Sequence, residues 1–342
     1  MILPATTQTL YAELLQQCTY PSPDGKGLSF VPKKQHNKTY LYLANSVGSR
    51  KTQHYLGEDT PKLQALITKE RHLWESTKDD RERRAKLVQM LIAGGVQPLA
   101  RLEGRVLQTL ERGGIFLAGG VMVGTPAYRA YGPMLGVTWE DSTQTQDIDM
   151  AAWNKYAVAL HGGSVDIKQL LNDAGMGIFE LPTLNRKHPA TKFKMSGTEL
   201  VVDILTPDIG KPVKGPVYLE AFKTYATPLR FLDYLLEEIE PVVLMYGNGI
   251  MVNVPNPARF ALHKLVISQR RPTAMAAKSR KDINQAEQVL AVLEDYRPGD
   301  IYNAVEAAHK MGEKFVTQMQ VASRKLRNDL RQIINSVKPT VR

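Results

Sequence analysis

Two acids one residue apart, Asp147 and Asp149, close the stretch Ile115–Ala151 and constrain this chain more than anything else in it. In an extended strand alternate side chains share a face, so both carboxylates point one way and Ile148 points into the core. Neighbouring carboxylates repel each other unless a cation, a proton or an Arg/Lys offsets them. A divalent metal is the simplest answer. The same stretch opens with Ile115-Phe116-Leu117-Ala118, an apolar run with the length and composition of a buried strand. Gly119 and Gly120 follow, then an apolar segment that reads as a helix start. A strand, a glycine turn and a helix N-terminus together offer bare backbone N–H groups to a phosphate. Each half also has a plain reading, Gly-Gly as an ordinary turn and Asp-x-Asp as a solvated turn or cap.

In this order the two halves resemble the nucleotidyltransferase fold of the polymerase-β type. Its signature is a Gly-Gly or Gly-Ser turn, an Asp-x-Asp or Asp-x-Glu strand, and a third carboxylate on a later strand. The wording "GGVMVGTPAYRAYGPMLGV…TQDIDMA" is especially similar to a bacterial branch of that superfamily, akin to toxin and abortive-infection nucleotidyltransferases. Here the segment from Gly120 to Asp147 is longer than in most of the superfamily, and the frequent Ser after the first Gly is absent. Those departures leave the γ-phosphate contacts open.

At 342 residues the chain can hold two or three domains and bury a substantial core. Its formal net charge of +10 favours nucleic acid or another polyanion as a partner. A single cysteine, Cys18, excludes an intramolecular disulfide and fits a reducing, cytoplasmic setting. The first residues lack the pattern of a signal peptide, and no apolar run approaches the roughly 20 residues of a membrane span. The histidines show no zinc-ligand spacing, and neither a nucleophile elbow nor a Walker or dinucleotide glycine pattern is present.

Before the central stretch, Thr7–Gln17 has the spacing of a short amphipathic helix. Lys38–Ala44 and Thr52–Leu56 read as two strands of a hairpin. Tyr40, Tyr42 and Tyr55 stand there among Lys33, Lys34, Lys38, Arg50 and Lys51. Such a pattern is either a base-stacking, phosphate-neutralising surface or a small sheet with a solvated basic face. Residues 61–93 are helix-rich with a polar middle, and Gly94-Gly95 marks a boundary. A helix from Leu99 to Glu111 leads into the Ile115 run.

After Asp149, a helix is expected at Val165–Ala174 with Ser164 as its N-cap. "GIFELP" reads as a strand, and "ATKFKMS" and "ELVVDILTP" read as two strands across the turn "SGT". The second encloses Asp203 among Val201, Val202, Ile204 and Leu205. A lone acid there is costly unless paired. Lys192 or Lys194 across the hairpin is one candidate, a metal the other. "PVVLMY" and "IMVNVP" read as strands around "GNG", and Pro257 suits the first position of the next helix. That helix offers Phe260, Leu262, Leu265 and Val266 to the core. Another helix begins between Lys278 and Asp282, and one long or broken helix runs from Asp300 to Val337. The last carries Arg324, Lys325 and Arg327, either a solvated face or a nucleic-acid contact.

The expected fold is therefore α/β of the α+β kind, a small mixed sheet flanked by helices. Three regions are expected: a β-hairpin and helical module over 1–94, a nucleotidyltransferase core over 95–255 and a helical region over 256–342. The resemblance implies Mg²⁺ (or Mn²⁺) held by Asp147, Asp149 and Asp203, and an NTP whose phosphates meet Gly119 and Gly120. It places Lys264 on the first helix after the sheet and Asp282 at the opening of the next. Lys264, and less directly Lys192, would offset the triphosphate, while Arg186 and Lys187 would hold the acceptor. Nucleotidyl transfer to an acceptor such as RNA or tRNA is the implied activity. A catalytically silent nucleic-acid-binding module that keeps the fold is the alternative.

Overall fold

The computed structural model describes residues 1–19, 28–35, 38–47, 50–139, 147–153, 164–183, 185 and 187–337. The chain opens with helix α1 (Ala5–Thr19) and a three-stranded antiparallel sheet, β1 (Leu28–Gln35), β2 (Lys38–Val47) and β3 (Arg50–Glu58), in that order. Only β2 and β3 are evident in the sequence. Pro32, Lys33 and Lys34 disguise β1, and they are tolerated because β1 is an edge strand. Most of the expected hairpin loop is strand.

Helix α2 (Pro61–Ala93) is one 33-residue helix, opened by Thr60, whose hydroxyl accepts from the Leu63 N–H at 3.3 Å. It covers one face of the small sheet, where Phe30 stacks on Trp74 with ring centroids 5.0 Å apart. Phe30 lies opposite Leu43 and Pro32 opposite Leu41, so these side chains share the covered face. The other face carries Tyr40, Tyr42 and Tyr55 in mutual contact, with Lys33 Nζ 4.7 Å above the Tyr42 ring. At 60% exposure, Tyr55 shows that this face is open.

Helix α3 (Arg101–Arg112) buries Val106, Leu107 and Leu110. Then come β4 (Val121–Val123), α4 (Gly124–Met134), β5 (Asp147–Ala151), α5 (Ile167–Asp173), β6 (Ile178–Glu180), β7 (Lys192–Met195) and β8 (Val201–Asp208). Strands β9 (Val217–Leu219) and β10 (Thr224–Arg230) follow, with α6 (Leu232–Leu236), β11 (Ile239–Leu244) and β12 (Ile250–Pro255). The chain ends in α7 (Pro257–Ser268), α8 (Ala276–Tyr296), α9 (Pro298–Lys310), α10 (Glu313–Ser323) and α11 (Asn328–Ser336).

The central sheet is mixed, in the order β4-β5-β8-β10-β9. Both β5 and β10 run parallel to β8, whereas β4 and β9 are antiparallel to their neighbours. A fork forms at β8: β7 pairs antiparallel with its first residues, and β10 takes over from Leu205. β6 extends the sheet beyond β7. This is the expected α+β architecture. The β11–β12 hairpin carries a second small core, in which Val243 and Met245 meet Leu14 of α1 and Leu87 and Leu91 of α2. The Val243 N–H donates to the buried Tyr11 hydroxyl at 3.1 Å. Among the described residues, no helix is long and apolar enough to cross a membrane.

Several local expectations are corrected. Ile115–Ala118 is not a strand: residues 113–119 form successive tight turns, with Leu117 79% exposed. Glycines on both sides let the backbone close on itself, the Ile115 N–H reaching Leu110 O and the Ala118 N–H reaching Gly114 O. The strand is Val121–Val123. Asp166, not Ser164, caps α5, accepting from the Gln169 N–H at 2.9 Å. Of the long or broken helix expected from Asp300 to Val337, the broken form holds, as three helices parted after Lys310 at Gly312, whose φ is +92°, and again at residues 324–327. Asn256 caps α7 ahead of Pro257, and Phe260, Leu262, Leu265 and Val266 are all buried as expected.

Candidate active site

The pleat of β5 buries Ile148 and Met150 completely and turns Asp147 and Asp149 to the opposite face. Strand β8 lies alongside in parallel register, pairing Asp149 with Asp203. Adjacent strands stand about 4.8 Å apart, so the register sets these two carboxylates side by side. Val202 and Ile204 alternate into the core and leave Asp203 outward. Across β5, Val123 pairs with Asp149, and the chain passes at once into α4. A Cβ on Gly124 would lie 2.1 Å from Asp149 Oδ2, and the φ of Gly124 is +68°. Only glycine fits between the strand and that carboxylate.

The carboxylates form one wall of a cleft of roughly 480 Å³. Gly124 and Thr125 line it at the start of α4, where helix N–H groups lack intrahelical partners. Opposite stand His263 and Lys264 of α7, then Arg270 and Arg271, then Lys278, Lys281 and Asp282 of α8. Thr227, Leu229 and Arg230 of β10 complete it. Charge is distributed unevenly. Burial, then Asp203, then Asp147 push the Asp149 carboxyl up to about 6, against the opposing pull of Lys264 and Lys192. Burial also raises Asp203, partly offset by Lys192. Burial alone would lower Lys192, but its bond and charge pairing with Asp203 outweigh that and hold it high. Burial, with Lys264 beside it, drives His263 down to about 3, so its imidazole is neutral.

Lys192 Nζ lies 2.6 Å from Asp203 Oδ2, whereas Asp203 Oδ1 is buried with no hydrogen-bond partner. Of the two sequence candidates for Asp203 the lysine is present, taking one oxygen and leaving the other over. Lys264 lines the cleft but is held by Asp282 Oδ1 at 2.8 Å, and Arg271 Nε takes the other oxygen of Asp282. Arg270, Lys278 and Lys281 have no ion-pair partner among the described residues, although the Arg270 guanidinium lies over the Phe231 ring.

Gly119 and Gly120 stand apart from this cleft, at the entry to β4 rather than its exit. Their N–H groups are spent within the turn, on Phe116 O at 3.3 Å and Ile115 O at 2.9 Å. A Cβ on Gly120 would meet Ile115 O at 2.7 Å, and Asn253 Nδ2 donates to the Gly120 carbonyl. Gly120 serves close packing and Gly119 takes a φ of +90°, and neither lines the cleft. The glycine at the end of the strand is Gly124. Lys187 is exposed in the loop before β7, outside the cleft lining, and Arg186 lies outside the described residues.

Among the described residues, no three His, Cys, Asp or Glu side chains converge into a ready-made metal cage. The donors nonetheless suit a hard cation. Asp147 and Asp149 share a face, Asp203 keeps a buried oxygen unpartnered, and burial, then the neighbouring carboxylates, raise the proton affinity of Asp149. Sequence reasoning missed Gly124, Thr125, Thr227, Arg270, Lys278 and Lys281. The signal for the first pair was present in "VGTP", a glycine and a hydroxyl residue just before a helix-opening proline.

A family model described as nucleotidyltransferase matches residues 101–310, from the first residue of α3 to the last of α9. No curated protein and no solved structure matches the chain.

Proposed function

Since the chain belongs to the nucleotidyltransferase family, we propose that this cleft moves a nucleoside monophosphate from an NTP to the hydroxyl of an RNA acceptor, such as a tRNA, with Mg²⁺ or Mn²⁺. The observation that carries this reading is the register that sets Asp149 beside Asp203, with Gly124 at their edge. Asp147, Asp149 and Asp203 Oδ1 would hold the ion, which when bound offsets phosphate charge and aligns the attacking and leaving oxygens.

The backbone N–H groups of Gly124 and Thr125 receive the triphosphate at the α4 N-terminus. Lys264, Arg270, Lys278 and Lys281 offset its charge from the facing helices. Lys192 holds one oxygen of Asp203, so the other is fixed towards the acceptor. The acceptor hydroxyl oxygen attacks the α-phosphorus, and the bond to the α,β-bridging oxygen breaks. Pyrophosphate leaves with the electron pair, and the hydroxyl proton passes to water in the cleft. RNA is favoured by the net charge of +10 and by the open tyrosine–lysine face of β2 and β3.

The test is incubation with each α-labelled NTP, Mg²⁺ and total cellular RNA. Label should enter RNA with wild type and fall below detection with Asp149→Asn, which removes charge at constant volume. Equal labelling by the variant would exclude this cleft as the site of transfer. RNA binding with no labelled product would leave the nucleic-acid-binding alternative.

A further inference from the structure

The strands that line the cleft stand in a fixed order, and each meets a different part of the substrate. From α4 outwards the lining runs from Gly124 and Thr125, through Asp147 and Asp149 of β5 and Asp203 of β8, to Thr227 of β10. Neighbouring strands are about 4.8 Å apart, so Thr227 lies one strand farther from the α4 N-terminus than Asp203 does. Leu205 pairs with Thr227 in parallel register, which sets Thr227 two residues along from Asp203, about 6.6 Å. With the triphosphate at α4 and the attacking hydroxyl beside Asp203, the group that reaches Thr227 is the sugar that carries that hydroxyl.

Across the fork in the sheet, the Thr227 hydroxyl is bonded to the hydroxyl of Thr191, oxygen to oxygen at 2.9 Å. Two hydroxyls carry two hydrogens, and the bond between them uses one. Thr191 stands just before β7 and is 5% exposed, and among the described residues neither hydroxyl has a further partner. Were Thr227 the donor, the Thr191 hydrogen would be buried with no acceptor, at the full cost of an orphaned polar group. Thr191 is therefore the donor, and Thr227 keeps its hydrogen for the cleft it lines. That hydrogen is not spent on Asp203, whose Oδ1 has no partner, nor on Asp208, which accepts from the Val213 N–H at 3.2 Å.

The wall around Thr227 is apolar or already engaged. Leu205 on β8 and Leu229 two residues along β10 line the cleft beside it. The Arg230 guanidinium donates to the carbonyls of Asp208 and Gly210 at 2.9 and 2.8 Å. Lys192 is matched by Asp203, and the unpaired cations Arg270, Lys278 and Lys281 stand on the facing helical wall. A phosphate is held best by charged donors, whereas a single neutral donor among apolar neighbours suits a neutral oxygen lone pair. On a ribose that turns one hydroxyl towards phosphorus, that oxygen is the hydroxyl next to it. At an RNA 3′ end it is the 2′-hydroxyl, the group that separates RNA from DNA.

We propose that Thr227, oriented by Thr191, is the residue by which the site recognises a ribose-ended acceptor, donating a hydrogen bond to the hydroxyl beside the attacking one. This rests on the transfer reading above and adds to it a means of preferring RNA ends to DNA ends.

The experiment uses the full chain, Mg²⁺, the α-labelled NTPs and total cellular RNA stripped of its 3′-terminal nucleotide. One portion is rebuilt with a ribonucleotide and the other with its 2′-deoxy counterpart, and initial rates below saturation compare kcat/KM for the two. Wild type should favour the ribose form about 10-fold, the effect of losing one hydrogen bond and stranding its donor. Thr227→Val, which keeps the shape and removes the hydroxyl, should bring the two rates together by slowing the ribose form, and Thr227→Ala should do the same. Thr227→Ser, which keeps the hydroxyl, should retain the preference. Thr191→Val, which leaves the Thr227 hydroxyl free to turn, should lower it. Equal rates in wild type overturn the proposal, and so does a preference that survives Thr227→Val, since a merely structural role slows both forms alike. An unchanged preference in Thr191→Val overturns the part given to Thr191. No label in either form with wild type overturns instead the transfer to RNA, so the two failures are distinct.

Discussion

Two aspartate–lysine pairs stand on opposite walls of the cleft, and they are finished differently. On the helical wall Asp282 gives one oxygen to Lys264 and the other to Arg271, with both Asp282 and Lys264 under a tenth exposed. On the sheet wall Asp203 gives one oxygen to a half-exposed Lys192 and keeps the other buried and unpartnered. The first is a closed brace between α7 and α8, with both oxygens of its carboxylate taken up within the protein. The second stands beside Asp149, whose carboxyl burial and its acidic neighbours push up to about 6. Buried acids left short of partners mark the place where something is meant to bind; buried acids fully paired mark a joint.

That contrast breaks first at Asp282. Asp282→Ala leaves Lys264 buried without its carboxylate and should cost about 3–5 kcal/mol in urea denaturation. A loss under about 1 kcal/mol would mean the brace is no brace. The smaller effect belongs to the other wall. Lys192→Met removes a half-exposed partner, and solvent screening limits its cost to about 1 kcal/mol or less in the same measurement. A loss as large as that of Asp282→Ala would make the two pairs equivalent and remove the basis for singling out Asp203.

Much of the carboxylate wall was legible in the chain because strands write their faces in alternation. Asp147-Ile148-Asp149 declares two outward acids around one inward aliphatic and Val202-Asp203-Ile204 one outward acid between two, and the structure pleats them accordingly. The phosphate side was misplaced for a local reason. Ile115-Phe116-Leu117-Ala118 has the composition of a strand but sits between two glycine pairs that fold it into turns. The actual strand, Val121–Val123, is three residues long, too short to show a period. Strand β9 hides in "VYL" because it is three residues long, and β10 in "TYATPLR" because its inward positions are small or polar, Thr224 and Ala226. The cations of the facing wall come from α7 and α8, 60 or more residues beyond Asp203 along the chain, and only tertiary packing brings them to the cleft. Lys264 was expected from the family resemblance alone, and no local pattern announces Arg270, Lys278 or Lys281.

On the proposed reading a cation relieves the repulsion at the carboxylate wall, and Asp149 reports on it directly. Its folded carboxyl binds a proton more tightly than in the unfolded chain, with a pKa moved from 3.8 to about 6. Without metal, its contribution to stability therefore falls as pH rises from about 4 to about 6 and is flat above. The measurement is the unfolding free energy of wild type and Asp149→Asn from pH 4 to 7.5, in EDTA and in Mg²⁺ with a non-hydrolysable NTP. In EDTA the variant should gain on wild type with rising pH, by at most about 3 kcal/mol, while Mg²⁺ and nucleotide should stabilise wild type alone. A difference that does not change with pH, together with equal stabilisation of both proteins by Mg²⁺ and nucleotide, would contradict the account.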